Sequence, residues 1–139
     1  MQLNPYLTFN GNCEAAFLFY EKNLGGKIDF LHRYADSPMA AQCGASWGEK
    51  IMHVSMSLDG KILMGSDGGG PDQPYPGMKG FALSLNVKDI AEAEKIFSAL
   101  SPNAAIQMPL QQTFWAARFG MLTDQFGTPW MVNCEAAPA

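Results

Sequence analysis

The sequence predicts an α+β fold in which the element order β-α-β-β-β occurs twice. Two amphipathic helical patterns, over 13–24 and 89–100, each follow a short segment typical of a strand. Three further strand-like segments come after each helix. Each half also has a turn signal before its last strand, Asp59-Gly60 in the first half and 124–127 in the second. The repeated order indicates an ancient duplication.

In the first half, residues 5–10 combine aromatic, apolar and β-branched types and predict a strand. Asn12 is the predicted N-cap of the first helix, whose apolar stripe repeats at helical spacing and which Gly25 ends. A loop is predicted over 36–49. The remaining strands are predicted over 27–35, 50–58 and 61–65.

In the second half, Asp89 is the predicted N-cap of the second helix. Residues 66–79 contain four Gly and three Pro, which predicts a linker between module one, 1–65, and module two, 80–134. A chain of 139 residues fits a single domain, 1–139, built from both modules. The strands are predicted over 80–87, 105–108, 114–123 and 129–134.

The composition excludes several classes of protein. Apolar residues make up 47% and charged residues 16%, which argues against disorder. The net charge of −4 without a basic run excludes duplex nucleic acid as an expected partner. No apolar run approaches a membrane span, and the N-terminus lacks the pattern of a signal peptide. Cys13, Cys43 and Cys134 are odd in number and widely separated, so we expect reduced thiols in a cytoplasmic protein.

Three segments within residues 4–134 carry a resemblance to a known family, namely GNCEAAFLFYEKNLGG, MHVSMSLDGKILMGSD and QQTFWAARFGMLTDQFGTPWMVN. The chain is similar to the PhnB-like branch of the vicinal oxygen chelate superfamily, which includes glyoxalase I, bleomycin-resistance proteins, fosfomycin-resistance transferases and extradiol dioxygenases. The resemblance implies that the modules form an open eight-stranded cup with the helices on the convex faces, a ligand site in the concave face, and a homodimer.

The resemblance also implies where a divalent metal would bind in the cup. The ligand positions of the superfamily fall on Pro5 or Tyr6, Gly80, Met64 and Met131. Proline and glycine have no ligand atom, and a thioether is a poor donor for Zn, Ni, Mn or Fe(II). The sequence therefore predicts that the metal site is absent and that the protein uses no cofactor.

His53 is the strongest candidate for chemistry. It lies on the polar face of its predicted strand with Ser55 and Ser57, opposite the apolar positions. If that face lines the cup, His53 is a general acid/base or a group that orients the ligand, because imidazole gains and loses a proton near neutral pH. The alternative is a hydrogen-bonded structural histidine. His32 is a weaker candidate, with no partner legible from the sequence.

Aromatic and methionine side chains supply the predicted ligand contacts. Trp115, with Phe114 and Arg118 beside it, predicts an aromatic wall with a cation for an anionic or conjugated ligand. The alternative is core packing plus a surface arginine. Tyr6, Met64 and Met131 are predicted to line the cup. Trp130 is predicted to face the core, and Cys13 is a weak candidate for a reactive thiol.

Three functions compete. The preferred one is a metal-free protein that binds an unidentified small molecule in the cup. The first alternative is an isomerase, lyase, dioxygenase or transferase of the superfamily type, with His53 as acid/base or a non-standard metal site. The second is a protein whose dimerisation is its whole role. A methyltransferase activity, which is associated with this branch, is not expected, since no G-x-G-x-x-G follows any predicted strand.

Overall fold

The computed structural model describes residues 1–38, 40–68, 70 and 72–135. The chain forms two compact units, Met1–Gly77 and the part that begins at Met78. Each unit contains one four-stranded open sheet with a helix packed on one face. The predicted α+β class and the repeated β-α-β-β-β order are therefore confirmed.

The first unit has the strand order β1-β4-β3-β2, with β1 parallel to β4 and the other pairs antiparallel. The predicted loop over 36–49 contains a short helix, α2, between two 3₁₀ turns at Tyr34–Asp36 and Ala45–Trp47. Its elements are β1 (Tyr6–Phe9), α1 (Cys13–Leu24), β2 (Lys27–Arg33), α2 (Ala40–Cys43), β3 (Ile51–Leu58) and β4 (Lys61–Asp67).

The second unit repeats that topology with the order β5-β8-β7-β6, again with one parallel pair, β5 with β8. The strand β5 starts three residues later than predicted, and Gly80 before it has a φ of 77° that interrupts extended backbone. The elements are β5 (Leu83–Val87), α3 (Ile90–Leu100), β6 (Ala105–Gln111), β7 (Ala116–Thr123) and β8 (Pro129–Glu135).

The turn between β3 and β4 is the hairpin that the Asp-Gly pair predicts. Asp59 and Gly60 both have positive φ, 47° and 77°, as a two-residue type I′ turn requires. The turn fixes the register of Leu58 with Lys61. The strand β4 then runs two residues further than predicted, so Ser66 and Asp67 belong to the sheet and not to the linker.

The helix of each unit packs a phenylalanine against a glycine of the sheet. A Cβ atom on Gly65 would lie 2.8 Å from the ring of Phe17, and one on Gly120 would lie 2.7 Å from the ring of Phe97. These glycines let the helix approach the sheet more closely than any other residue would permit. The core between α1 and the sheet is completed by buried Leu7, Phe9, Tyr20, Val54 and Met56.

The two helices begin in different ways. Asp89 caps α3 as predicted, with its Oδ1 accepting from Glu92 N at 2.8 Å. The prediction that Asn12 caps α1 is wrong, because its side chain makes no capping hydrogen bond. The carboxylate of Asp67 replaces it, accepting from the backbone N–H groups of Gly11 and Cys13 at 2.8 and 3.0 Å.

Asp67 links three parts of the first unit. Besides the two bonds to the start of α1, its Oδ2 accepts from Ile51 N of β3 at 2.8 Å, and the residue is only 2% exposed. Its backbone carbonyl also accepts from the hydroxyl of Tyr34 at 3.1 Å. One carboxylate thus accepts hydrogen bonds from the start of the helix and from β3, which lie far apart in the sequence.

We predict that Asp67→Ala lowers the free energy of unfolding by about 3 kcal/mol, because it leaves buried backbone donors without an acceptor. The matched control is Asp89→Ala, which removes an exposed local cap and should cost about 1 kcal/mol. Urea denaturation of the two variants measures the difference. Equal losses would show that the Asp67 network adds nothing beyond an ordinary cap.

Candidate functional site

One face of the first sheet is covered by α1, and strand alternation places polar and aromatic side chains on the other. Leu7, Val54 and Leu63 are buried on the helix side. Their sequence neighbours therefore lie on the opposite face. We call that face the first open face, and define it by Tyr6, Phe30, His32, His53, Ser55 and Met64.

A row of rings occupies this face. The rings of Tyr6 and His53 are stacked, with centroids 5.6 Å apart and planes 25° apart. Phe30 lies 5.7 Å from His53 and also 5.7 Å from His32. Tyr6 is 48% exposed and Phe30 49%, so both present ring surface to solvent.

Two hydrogen bonds orient the histidines. The hydroxyl of Tyr6 lies 3.1 Å from Nδ1 of His53, and Nε2 of His32 lies 2.9 Å from the carbonyl oxygen of Asp36. The two histidines are register partners on neighbouring antiparallel strands. Their imidazoles thus share one face, each with one nitrogen already engaged.

The structure brings together four residues predicted at the site from separate parts of the sequence. Tyr6 is the register partner of Met64 across β1 and β4, and Ser55 is the partner of Met64 across β3 and β4. His53 lies two residues from Ser55 on the same face. Of the two alternatives left open for the first strand, Tyr6 lies on this face, and Pro5 precedes β1.

Phe30 is the ring that the sequence analysis missed. The ladder of β2 and β3 contains an irregularity between Ile28 and Phe30, which shifts the alternation that would have identified it. Its position two residues before His32 on the same strand is the signal that places it on this face. His32, the weaker candidate, joins the site through the same ring.

In the second unit, the predicted aromatic and cationic groups point in different directions. Trp115 contacts Phe114 and Phe119, with centroids 4.7 and 5.4 Å apart. Arg118 instead extends toward α3, where its Nε lies 3.8 Å from Glu94 Oε1. The alternation of β7, which turns Gly120 to the helix, also turns Arg118 to it.

Two further residues of β8 lie where alternation predicts them. Met131 is the register partner of Met121, on the face away from α3. Trp130 is buried, as predicted, and its Nε1 donates to Asp124 Oδ2 at 2.8 Å.

The register corrects one of the four predicted metal-ligand positions. Tyr6 pairs with Met64, and the corresponding parallel pair of the second unit is Ser84 with Met131. Ser84, and not Gly80, is therefore the counterpart of Tyr6, because β5 begins beyond Gly80. Phenol, hydroxyl and two thioethers do not fit a site for Zn, Ni, Mn or Fe(II), which needs imidazole nitrogen or carboxylate oxygen. The part of the chain that the structure describes holds no group of three or more His, Cys, Asp or Glu that could bind a metal ion.

Cys13 is buried at the start of α1, beside the Asp67 carboxylate. Burial raises the pKa of its thiol far above the ordinary value, and the negative charges of Asp67 and Glu14 raise it further. The opposite effect operates next to it, where a hydrogen bond from Arg33 lowers the pKa of Glu14. A thiol in this environment stays protonated and is a poor nucleophile.

The sequence of this chain matches a known family along almost its whole length. The family described as 3-demethylubiquinone-9 3-methyltransferase matches residues 1–133. Protein YjdN from Escherichia coli (strain K12) is 34% identical over 141 residues, which cover 96% of this chain and 95% of YjdN. This chain belongs to that family.

Solved structures share the fold of this chain. Protein PA1353 from Pseudomonas aeruginosa is 50% identical, with a TM-score of 0.89 over 97% of this chain and 98% of its own. A PhnB protein from Bacillus cereus has a TM-score of 0.81 at 24% identity, over 96% and 99% of the two chains.

A glyoxylase/bleomycin resistance protein/dioxygenase domain from Frankia sp. EAN1pec shares the fold, with a TM-score of 0.62 at 18% identity over 100% of this chain and 94% of that domain. The PhnB-like family and the glyoxalase fold that the sequence resemblance implied are therefore confirmed. Among the helices in the described ranges, none is long and apolar enough to cross a membrane.

The buried position of Cys13 predicts that this PhnB-like protein does not use it as a nucleophile. Iodoacetamide should leave Cys13 unmodified in the folded protein and alkylate it after unfolding in urea, since only unfolding removes the burial and the nearby charges. Peptide mass spectrometry measures both states in one experiment. Alkylation of Cys13 in the native protein at the rate of a free thiol would contradict this prediction.

Proposed function

We propose that this PhnB-like protein binds a small organic molecule on the first open face and does so without a metal ion. The observation that supports this most strongly is the stacked and hydrogen-bonded pair of Tyr6 and His53, flanked by Phe30. Two half-exposed rings and oriented polar atoms on one surface are the usual composition of a small-molecule site.

The exposed ring surface on this face favours binding of a ligand that would bury it. Tyr6 and Phe30 leave about half of their surface in water, and burying apolar surface of this size against a ligand is favourable by roughly 25 cal/mol per Å². The Tyr6 hydroxyl fixes the orientation of the His53 ring before any ligand arrives. A preorganised polar group loses less conformational entropy on binding than a mobile one.

The absence of a metal from this proposal rests on donor chemistry. The residues that pair across the parallel strands, Tyr6 with Met64 and Ser84 with Met131, do not form the imidazole and carboxylate set that divalent ions prefer. We therefore propose that the ligand is held by rings and hydrogen bonds.

The family description names a methyl transfer, which we do not propose for this chain. No G-x-G-x-x-G motif follows a strand in the sequence, so the usual strand–turn–helix site for a nucleotide-type methyl donor has no counterpart. Calorimetric titration with S-adenosylmethionine tests this directly. Binding with a submillimolar Kd would contradict our view that the protein does not transfer methyl groups.

A second candidate function is acid/base catalysis by His53. The hydrogen bond from Tyr6 to Nδ1 holds the imidazole in one orientation and leaves the proton on Nε2, so this nitrogen is placed to donate a proton as a general acid. Binding and catalysis differ in one measurement. Under catalysis the bound compound is converted to product, and His53→Gln abolishes conversion while binding persists.

We predict that aromatic compounds which bind this protein perturb the ring NMR signals of Tyr6 and His53. The variant Tyr6→Phe should weaken the binding of these compounds about three- to tenfold. The variant keeps the ring but loses one hydrogen bond and the orientation of His53. Titration by NMR measures both effects.

Tyr75→Phe is the matched control, because it removes another phenol of the same unit, one that donates to Thr8 O at 2.7 Å. Equal weakening by both variants, or binding that perturbs neither ring, would show that the ligand lies elsewhere.

We further propose that the protein is a homodimer, as family resemblance implied. Large apolar side chains in water favour association, and Phe114 is 96% exposed next to Trp115, which is 47% exposed. Light scattering should give twice the mass of 15.1 kDa. Phe114→Ser should shift the equilibrium toward monomer, and a monomeric wild-type protein at high micromolar concentration would overturn the proposal.

A further inference from the structure

The hydrogen bonds of the two histidines on the first open face determine which ring nitrogens can donate to a ligand and which can accept from it. A carbonyl oxygen only accepts hydrogen bonds, so Nε2 of His32 must carry a proton to bond Asp36 O. In the neutral ring, Nδ1 of His32 is then a hydrogen-bond acceptor. Among the described residues no hydrogen bond occupies that nitrogen.

In His53 the free ring nitrogen is a hydrogen-bond donor, whereas in His32 it is an acceptor. A phenol is a better donor than an imidazole N–H, and an imidazole nitrogen is a better acceptor than a phenol oxygen, so the Tyr6 hydroxyl donates to Nδ1 of His53. The proton of the neutral His53 ring then resides on Nε2, which is a donor. The pair therefore offers one donor and one acceptor from neighbouring strands, at residues that are register partners.

The ring of Phe30 lies beside both histidines, 5.7 Å from each imidazole. A flat ligand that contacts the exposed face of this ring brings its substituents to both histidines. Ring–ring contacts of this kind contribute beyond area burial. The arrangement therefore fits a planar molecule with a hydrogen-bond acceptor and a donor on neighbouring atoms.

The arginines of the protein argue against an anionic ligand here, and the cation that the register places on this side of the sheet, Lys27, pairs with Ser57, four residues along β3 from His53. The sequence contains two arginines, and both face glutamates on the helix side of their sheets. Arg33 makes a two-point contact with Glu14, at 2.6 and 3.0 Å, and Arg118 lies 3.8 Å from Glu94. Neither guanidinium is directed at the first open face, and recognition of a carboxylate or phosphonate usually relies on such a group.

We infer that the first open face selects a neutral planar ligand with adjacent acceptor and donor groups, of the aryl amide class, over an aryl carboxylate. This inference rests on the proposed function, since it names the ligand class of the same site. His53 supplies the donor through Nε2, His32 supplies the acceptor through Nδ1, and Phe30 supplies the stacking surface.

Three probes of one size test this by NMR titration of the full chain at one fixed, mildly alkaline pH. Benzamide has both an acceptor and a donor, acetophenone has the acceptor alone, and benzoate has acceptors and a charge. We expect benzamide to bind about tenfold more tightly than benzoate, with acetophenone between them.

Two variants keep the ring and remove the polar atoms. His32→Phe should reduce benzamide binding to the level of acetophenone and leave acetophenone unchanged, because only benzamide uses the acceptor. His53→Phe should weaken both neutral probes. His32→Gln should restore part of the benzamide preference, since its amide oxygen can accept, and the melting temperature of each variant checks its folding.

The outcomes separate this inference from the proposed function. If the probes bind and perturb Tyr6 but benzoate binds as tightly as benzamide, the ligand class is wrong and the binding site stands. Equal weakening of every probe by His32→Phe in a folded variant likewise overturns the assigned roles of the histidines. If no neutral probe perturbs the first open face, both the inference and the proposed site are wrong.

Discussion

The first unit depends on one buried carboxylate. Asp67 ends β4, the strand next to β1, and accepts hydrogen bonds from the N-terminus of α1 and from β3. Backbone donors buried without an acceptor are expensive, so the start of the helix and the start of β3 are held at fixed positions relative to β4. The alternation of β1 and β3 from these fixed points places Tyr6 and His53 on the same face.

The two units share an order of elements but differ in the side chains that face away from their helices. The register pairs Ser55 with Met64 in the first sheet and Met121 with Met131 in the second. Two residues earlier on the same strands, His53 of the first sheet corresponds to Phe119 of the second. The imidazole and the hydroxyl on β3 thus belong to the first unit alone, and the corresponding positions on β7 of the second unit are apolar.

The difference extends to how each helix is capped. Asp89 caps α3 from the adjacent position in sequence, whereas the acceptor for α1 comes from the far end of the unit. A local cap stabilises a helix, and a distant one also ties that helix to the sheet. A unit that must hold hydrogen-bonding groups in a fixed geometry gains from the second arrangement, since a misplaced polar group loses most of its interaction energy.

The sequence by itself determined the elements, because hydrophobic periodicity, turn residues and local caps act within a few residues, and the resemblance of three of its segments indicated the family. The hairpin at Asp59-Gly60, the cap at Asp89 and the buried Trp130 all followed from such short-range signals. Tertiary structure alone decided the rest. The acceptor for α1 is far from it in sequence, and only the strand register shows that Ser84 matches Tyr6. The site likewise required three strands to bring Tyr6, Phe30 and both histidines together, and a bulge that periodicity does not encode sets the position of Phe30.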